Sequence, residues 1–202
     1  MRLVDFYYAI GSRYSYLASS QLARIQAETA RSLDWHPLNS VRLLSARGKS
    51  PFEEEPVSGQ YDWGYRERDA SRWAAVYKIP FVESRGRVRF DSDLLALACT
   101  AAKRLGRVER FSHRLFAAMF HGRVDQIGEA ECVAAAAACG VNGDDFTVEL
   151  HSPDTARQLS GTTEAALEAG VFGVPTFIAD GELFWGNDRL VLLEHHLCER
   201  AV

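Results

Sequence analysis

Val4, Phe6 and Tyr8 alternate with their neighbours in the run from Leu3 to Ile10. A period of two in a short, aromatic-rich segment predicts a buried β-strand. Gly11-Ser12 breaks that pattern. From Tyr14 to Ala30 the spacing becomes helical, with Leu17, Leu22, Ile25 and Gln26 at three- and four-residue steps. Ser32 to Leu38 predicts a second short strand, ended by Pro37-Leu38-Asn39. Strand, helix and strand within about 38 residues form a right-handed βαβ unit, so the two strands are expected to be parallel.

The middle of the chain changes character. Residues 45 to 64 hold Gly48, Pro51, Pro56, Gly59, Gly64 and three consecutive glutamates, which predicts a long polar loop. Helical periodicity follows from Tyr65 to Tyr77, Asp93 to Leu105, Glu109 to Phe120 and Glu129 to Cys139. Asp91 or Ser92 is placed to cap the second of these, and Gly106, Gly122 and Gly140 close helices. Ser152-Pro153-Asp154 opens a further helix that runs to Ala169, with Gly170 as its stop. Pro175 to Ala179 reads as a strand, Asp180-Gly181 as a two-residue hairpin turn, and Glu182 to Trp185 as its partner. A last helix spans Asp188 to Arg200. With the helical block set aside, the order is βαβ followed by αββα. That order predicts an α/β, thioredoxin-like domain (residues 1–40 and 152–202) with an inserted all-helical domain (residues 41–151) that carries the polar loop.

The bulk numbers narrow the function classes. The chain has 202 residues, 47% hydrophobic and 25% charged, which is ordinary for a globular domain with a normal core. Its net charge of -4, with arginines interleaved among acids, gives no nucleic-acid surface. No run approaches the ~18 apolar residues of a membrane span. Asp5 interrupts the first apolar run, so a signal peptide is not expected and the protein is read as cytoplasmic. The four cysteines, Cys99, Cys132, Cys139 and Cys198, form no Cys-x-x-Cys pair and read as small buried hydrophobes. Cys132 and Cys139 would stand roughly 10 Å apart along a helix, too far for a disulfide. No His or Cys cluster has ligand spacing, so no metal is expected.

Three segments carry chemistry. Ser12-Arg13-Tyr14-Ser15 stands where the first strand gives way to a helix, whose N-terminus offers unsatisfied N–H donors and the positive end of its dipole. A thiolate placed there is stabilised, but Ser12 also suits a plain N-cap. Gly173-Val174-Pro175-Thr176 opens a strand with proline, where no ladder donor is lost. A cis bond there would leave the Val174 backbone to pair with a peptide-like ligand, and sequence does not reveal the isomer. In Trp185-Gly186-Asn187-Asp188-Arg189, Asp188 suits either a ligand amine or a helix cap. His36 reads as a packed imidazole, and His195 and His196 as surface residues. Trp73 reads as core.

Val4-Asp-Phe-Tyr-Tyr-Ala-Ile-Gly-Ser-Arg-Tyr-Ser-Tyr-Leu-Ala18, Gly170-Val-Phe-Gly-Val-Pro-Thr-Phe177 and Gly186-Asn-Asp-Arg-Leu190 together resemble the 2-hydroxychromene-2-carboxylate isomerases. Asp69, Arg72 and Trp73 extend the resemblance into the insertion. These isomerases belong with the kappa-class glutathione transferases in the DsbA-like branch of thioredoxin folds. The resemblance implies that Ser12 hydrogen-bonds the sulfur of glutathione or another small thiol, in place of a nucleophilic cysteine. It implies that Val174, before a cis Pro175, pairs by backbone with the thiol peptide. It gives Asp188, with Asn187 beside it, the γ-glutamyl ammonium. Arg13, Tyr14 and Trp63 are the expected substrate-facing residues, and a small aromatic or conjugated molecule is the expected substrate. A homodimer is the expected assembly. The implied reaction is isomerisation of an aromatic chromene carboxylate and its benzylidenepyruvate by reversible thiol addition. The alternatives are a kappa-like transferase or peroxidase and a non-catalytic module that binds a thiol or peptide. Serine at both cysteine positions, Ser12 and Ser15, disfavours a dithiol oxidoreductase.

The pattern departs from the family at three places. Arg13 replaces the usual proline after the serine. Asp62 falls where the family has a lysine that reaches a glutathione carboxylate, and Lys49 falls near a family asparagine. Arg13, Arg42 and Lys49 are the candidate substitutes for that positive charge.

Overall fold

The computed structural model of the protein describes residues 3–48 and 59–199. β1 (Leu3–Tyr8), α1 (Arg13–Ser19), α2 (Leu22–Thr29) and β2 (Ser32–Pro37) form the βαβ unit. After α3 (Ser40–Ala46) come α4 (Trp63–Tyr77), the two-residue β3 (Arg89–Phe90), α5 (Ser92–Arg104) and α6 (Val108–Phe120). The two-residue β4 (Gln126–Ile127), α7 (Glu129–Ala137) and α8 (Gly143–Leu150) complete the insertion. The chain then returns through α9 (Pro153–Glu168), β5 (Thr176–Ala179), β6 (Glu182–Trp185) and α10 (Leu190–Glu199). The main sheet has the order β2-β1-β5-β6. β1 and β2 are parallel, and β5 is antiparallel to both β1 and β6. This is a thioredoxin-like sheet with an inserted helical unit.

The alternation in β1 puts Phe6 and Tyr8 on the face covered by the insertion. Phe6 stacks on Phe177 with centroids 4.9 Å apart and meets Trp35 edge-on at 4.9 Å. Tyr8 is fully buried, and its hydroxyl meets Ser112 Oγ of α6 at 2.5 Å. A buried hydroxyl needs such a partner. The core is therefore continuous from the sheet into α5 and α6. Tyr7, on the other face, packs with Leu38, Leu43, Ala166 and Val171.

Several elements differ from the expectations. The first helix is two helices. Ser19 and Ser20 turn their hydroxyls onto the carbonyls of Tyr16 and Leu17, so side chains compete with the ladder and the helix breaks there. α3 begins inside what the composition suggests is a connection, because Asn39 Oδ1 accepts from the N–H groups of Val41 and Arg42. The long loop is accordingly shorter at both ends, and its residues 49–58 lie outside the described part. α8 also lacks a strong periodic signal. Asn142 caps it, acids fill its first turn, and Phe146 and Leu150, four apart, are buried. The last helix starts at Leu190, because Asn187–Arg189 form a 3-10 turn. Cys198 is exposed, unlike Cys99, Cys132 and Cys139. His196 is not a surface residue: its side chain is 14% exposed and packs on Phe184 beside Asp180.

Candidate active site

Ser12 is the residue on which the β1–α1 junction turns. Its backbone is extended (φ -90, ψ 113), and its Oγ accepts from the Ser15 N–H at 3.2 Å. The cap role is thus real, but it does not hide the hydroxyl. Ser12 is only partly buried, and its Oγ lies 3.5 Å from the carbonyl oxygen of Val174, 162 residues away in sequence. No acid stands in the first turn of α1, so the positive end of this helix faces that space uncompensated. Ser15 is fully buried and turns inward.

The Val174–Pro175 peptide bond is cis. The Val174 N–H has no hydrogen-bond partner among the described residues. The Pro175 carbonyl accepts from the Gly186 N–H at 2.9 Å, which ties the proline edge to the segment carrying Asp188. Two glycines are required here. A Cβ on Gly173 would lie 2.6 Å from Trp185 Nε1. Gly186 has φ 107, and a Cβ there would lie 2.5 Å from Asp188 Oδ1.

Asp188 is half exposed, and its Oδ2 pairs with Arg189 at 2.7 Å. Asn187 is 1% exposed. Its amide lies beside the Tyr77 hydroxyl, yet neither amide atom has a well-aligned partner among the described residues. Asn187 therefore sits beneath the site, between the 3-10 turn and α4, rather than on its open surface.

The insertion supplies the opposing wall. Tyr14 donates to Asp69 Oδ2 at 2.8 Å, which joins α1 to α4. Burial, and then this bond to a carboxylate, push the Tyr14 phenol well above its ordinary value. The Arg13 side chain is 7% exposed and reaches Glu83 Oε2 at 2.7 Å, a close contact of charges rather than a well-aligned hydrogen bond. Burial draws the Arg13 guanidinium down, and Glu83 opposes that shift. Arg13 also lies 5.3 Å from the Trp63 ring centroid, with Arg85 at 4.4 Å and Arg66 at 6.0 Å. The indole thus carries guanidinium groups. Asp62 is the N-cap of α4, where its Oδ1 accepts from the Tyr65 N–H at 2.6 Å. Arg42 is held by Asp93 at 2.7 Å, and Lys49 lies outside the described residues.

Glu83, Arg66 and Arg85 carry no motif, and nothing in the sequence marks them. They meet Arg13 because α4, which carries Arg66, packs on α1, and the segment between α4 and β3, which carries Glu83 and Arg85, folds back beside them. Next to the Ser12 loop is a cavity of about 180 Å³ lined by Ile10, Gly11, Leu38, Val41, Phe90 and Leu95. A larger one, about 470 Å³, lies among Val82, Glu83, Arg87, Val88, Met119 and Val124 and shares only Glu83 with the groups around Ser12. Asp5, Asp34 and His36 cluster on the sheet, where Lys103 also meets Asp34 at 2.5 Å. Buried Cys99 and Cys132 thiols are both pushed up to about 12, chiefly by burial, and are not nucleophiles at neutral pH.

Comparison with known proteins identifies the family. The model of the DSBA-like thioredoxin domain matches residues 3–198. The 2-hydroxychromene-2-carboxylate isomerase of Pseudomonas sp. (strain C18) is 26% identical over 193 residues, covering 96% of this chain and 89% of the relative. Human glutathione S-transferase kappa 1 is 26% identical over 219 residues, covering 98% of this chain and 92% of the relative. A solved 2-hydroxychromene-2-carboxylate isomerase superposes with a TM-score of 0.82 at 25% identity, covering 98% of this chain and 95% of that one. No helix among the described residues is long and apolar enough to cross a membrane. The family match over residues 3–198, on a thioredoxin-like sheet with a helical insertion, establishes that this chain belongs to the DSBA-like thioredoxin domain family.

Proposed function

We propose that the protein is an isomerase that uses glutathione, or a small thiol like it, on an aromatic conjugated carbonyl compound of the 2-hydroxychromene-2-carboxylate type. One observation carries the reading: the Ser12 hydroxyl lies at the positive end of α1 and 3.5 Å from the Val174 carbonyl oxygen, at the cis-proline edge. The residues fit a thiol peptide. Val174 offers a backbone N–H with no partner among the described residues, and the exposed Asp188 carboxylate suits an ammonium group.

When bound, the thiol supplies as its thiolate a nucleophile that adds to a conjugated double bond, leaves a single bond free to rotate and departs. The chain's part is to hold that sulfur ionised. A free thiol titrates near ~8.5, and each unit of lowering corresponds to about 1.4 kcal/mol. A helix N-terminus contributes about 0.3–2 kcal/mol and a hydroxyl donor to an ionised sulfur about 1.5–3 kcal/mol. Their sum lowers the thiol by roughly one to three units. The Ser12 O–H, which points at the Val174 carbonyl oxygen 3.5 Å away, would turn to hydrogen-bond the sulfur while its oxygen goes on accepting from the Ser15 N–H. The open cavity of about 180 Å³ beside Gly11, lined by apolar side chains together with Ser40 and Ser92, has room for one aromatic ring.

Glutathione titrated into the protein by calorimetry is the first test, followed by isomerisation of 2-hydroxychromene-2-carboxylate with and without glutathione. Binding together with thiol-dependent turnover is expected. Turnover that is indifferent to the thiol overturns the mechanism. Binding without turnover selects the non-catalytic module, and turnover of electrophilic aromatics alone selects the kappa-type transferase.

A further inference from the structure

The wall opposite Ser12 needs a positive charge only if its ligand brings a negative one, and most of the arginines there are already committed. Arg13 is spent on Glu83 and Arg42 on Asp93, and Asp62 is occupied as a helix cap. Arg85 differs. Its side chain is exposed and meets no carboxylate among the described residues. Its base is nevertheless fixed. The Arg85 N–H donates to Glu83 Oε1 at 2.9 Å, and the carbonyl of buried Ser84 accepts from the N–H groups of Arg87 and Val88 at 2.9 Å each. Glu83 thus binds Arg85 through one carboxylate oxygen and Arg13, the neighbour of Ser12, through the other. The head of Arg85 rests 4.4 Å from the Trp63 ring centroid.

We propose that Arg85, seated on Trp63, is the anchor for a carboxylate group of the ligand that binds at Ser12. A guanidinium laid on an aromatic ring is attracted to its π-face and keeps its in-plane N–H fork for a carboxylate. Holding it there in advance removes much of the ordering cost of binding. Arg13, Arg66 and Arg85 all crowd the same indole, and Arg13 and Arg66 repel one another. A carboxylate at Arg85 would bring negative charge to an indole that three guanidinium groups approach. The inference rests on the thiol-site reading for the location of the ligand. The carboxylate has two sources, the thiol peptide and the aromatic substrate.

Two pairs of probes separate the sources. Dissociation constants are measured by calorimetry for glutathione against its glycine carboxamide, and for cinnamate against cinnamamide. The proteins are the parent, Arg85→Gln and Arg85→Lys. In the arm that carries the anchored group, the parent binds the acid more tightly than the amide. Arg85→Gln weakens the acid by about tenfold or more and leaves the amide unchanged, as expected for a lost charge-assisted pair. Arg85→Lys falls between, because it keeps the charge without the fork. Equal binding of acid and amide by the parent in both arms overturns the proposal. So does an acid affinity that Arg85→Gln leaves unchanged in both arms, or no binding of any probe. Failure of glutathione alone, with the cinnamate arm responding, overturns glutathione as the thiol and leaves the anchor standing.

Discussion

Replacing Ser12 with alanine removes two interactions at once, and the structure allows them to be separated. The first is the cap on α1, a 3.2 Å bond from the Ser15 N–H to Ser12 Oγ. An N-cap serine replaced by alanine costs about 1 kcal/mol. The backbone carbonyl of Ser12 still accepts from Tyr16 at 3.0 Å, so the helix itself persists. For a chain of this length the expected fall in Tm is about 2–4 °C. The second is the donor to a thiolate. A hydrogen bond to a charged group contributes about 1.5–3 kcal/mol, which is roughly a 10- to 150-fold loss in kcat/KM at neutral pH. The same energy raises the bound thiol by about one to two pKa units. The sign follows directly. Without the donor the thiol stays protonated to higher pH, so the acid limb of the pH–rate profile moves upward. Parent and variant then converge at alkaline pH, where both hold thiolate. The assay is thiol-dependent isomerisation measured across pH, with thermal unfolding of the same preparations. A Tm that falls while the pH profile stays where it was would make Ser12 a cap and nothing more.

Three further outcomes follow from the geometry. Glu83→Gln leaves Arg13 charged and buried without its counter-ion, and stability measured by urea unfolding is expected to fall by about 3–5 kcal/mol; the Arg13→Met, Glu83→Leu double variant is expected to lose much less, and equal losses would deny the pair its role. Tyr8, Tyr14 and Tyr16 all ionise late, Tyr16 being pushed up to about 12 by burial, so alkaline titration at 295 nm should show fewer phenolates at pH 11 in the native protein than in guanidinium. Because the unfolded chain gives up those protons near pH ~10 and the folded one does not, stability should decline with pH above that point. A thiol-specific reagent should modify Cys198 in the folded protein and reach Cys99, Cys132 and Cys139 only on unfolding; rapid reaction of a second thiol would contradict their burial.

Local pattern was most informative where one segment decides its own structure. Leu3–Tyr8 alternates because one face of β1 is covered by aromatic side chains and the other by a smaller cluster. Asp180-Gly181 turns the β5–β6 hairpin with both residues at positive φ, the conformation such turns require. The break at Ser19-Ser20 was less legible, because apolar spacing continues through it and only the serine hydroxyls decide against one long helix. α3 and α8 are short elements whose caps, Asn39 and Asn142, outweigh a weak hydrophobic period.

The candidate site divides the same way. From the order of residues alone it is legible that a serine stands at the start of the first helix, that a proline opens the third strand of the sheet, and that Ser12 and Ser15 take the places a Cys-x-x-Cys pair would occupy. These follow from residue identity and local position. Packing between distant segments sets the rest: Ser12 faces Val174, Asn187 is buried under the site, and Arg13 is neutralised by Glu83 while Arg85 meets no carboxylate among the described residues. The reason is that charge compensation and cis-proline contacts are made between segments some 70 to 160 residues apart, and such distances close only through packing of α1 against α4 and of β1 against β5.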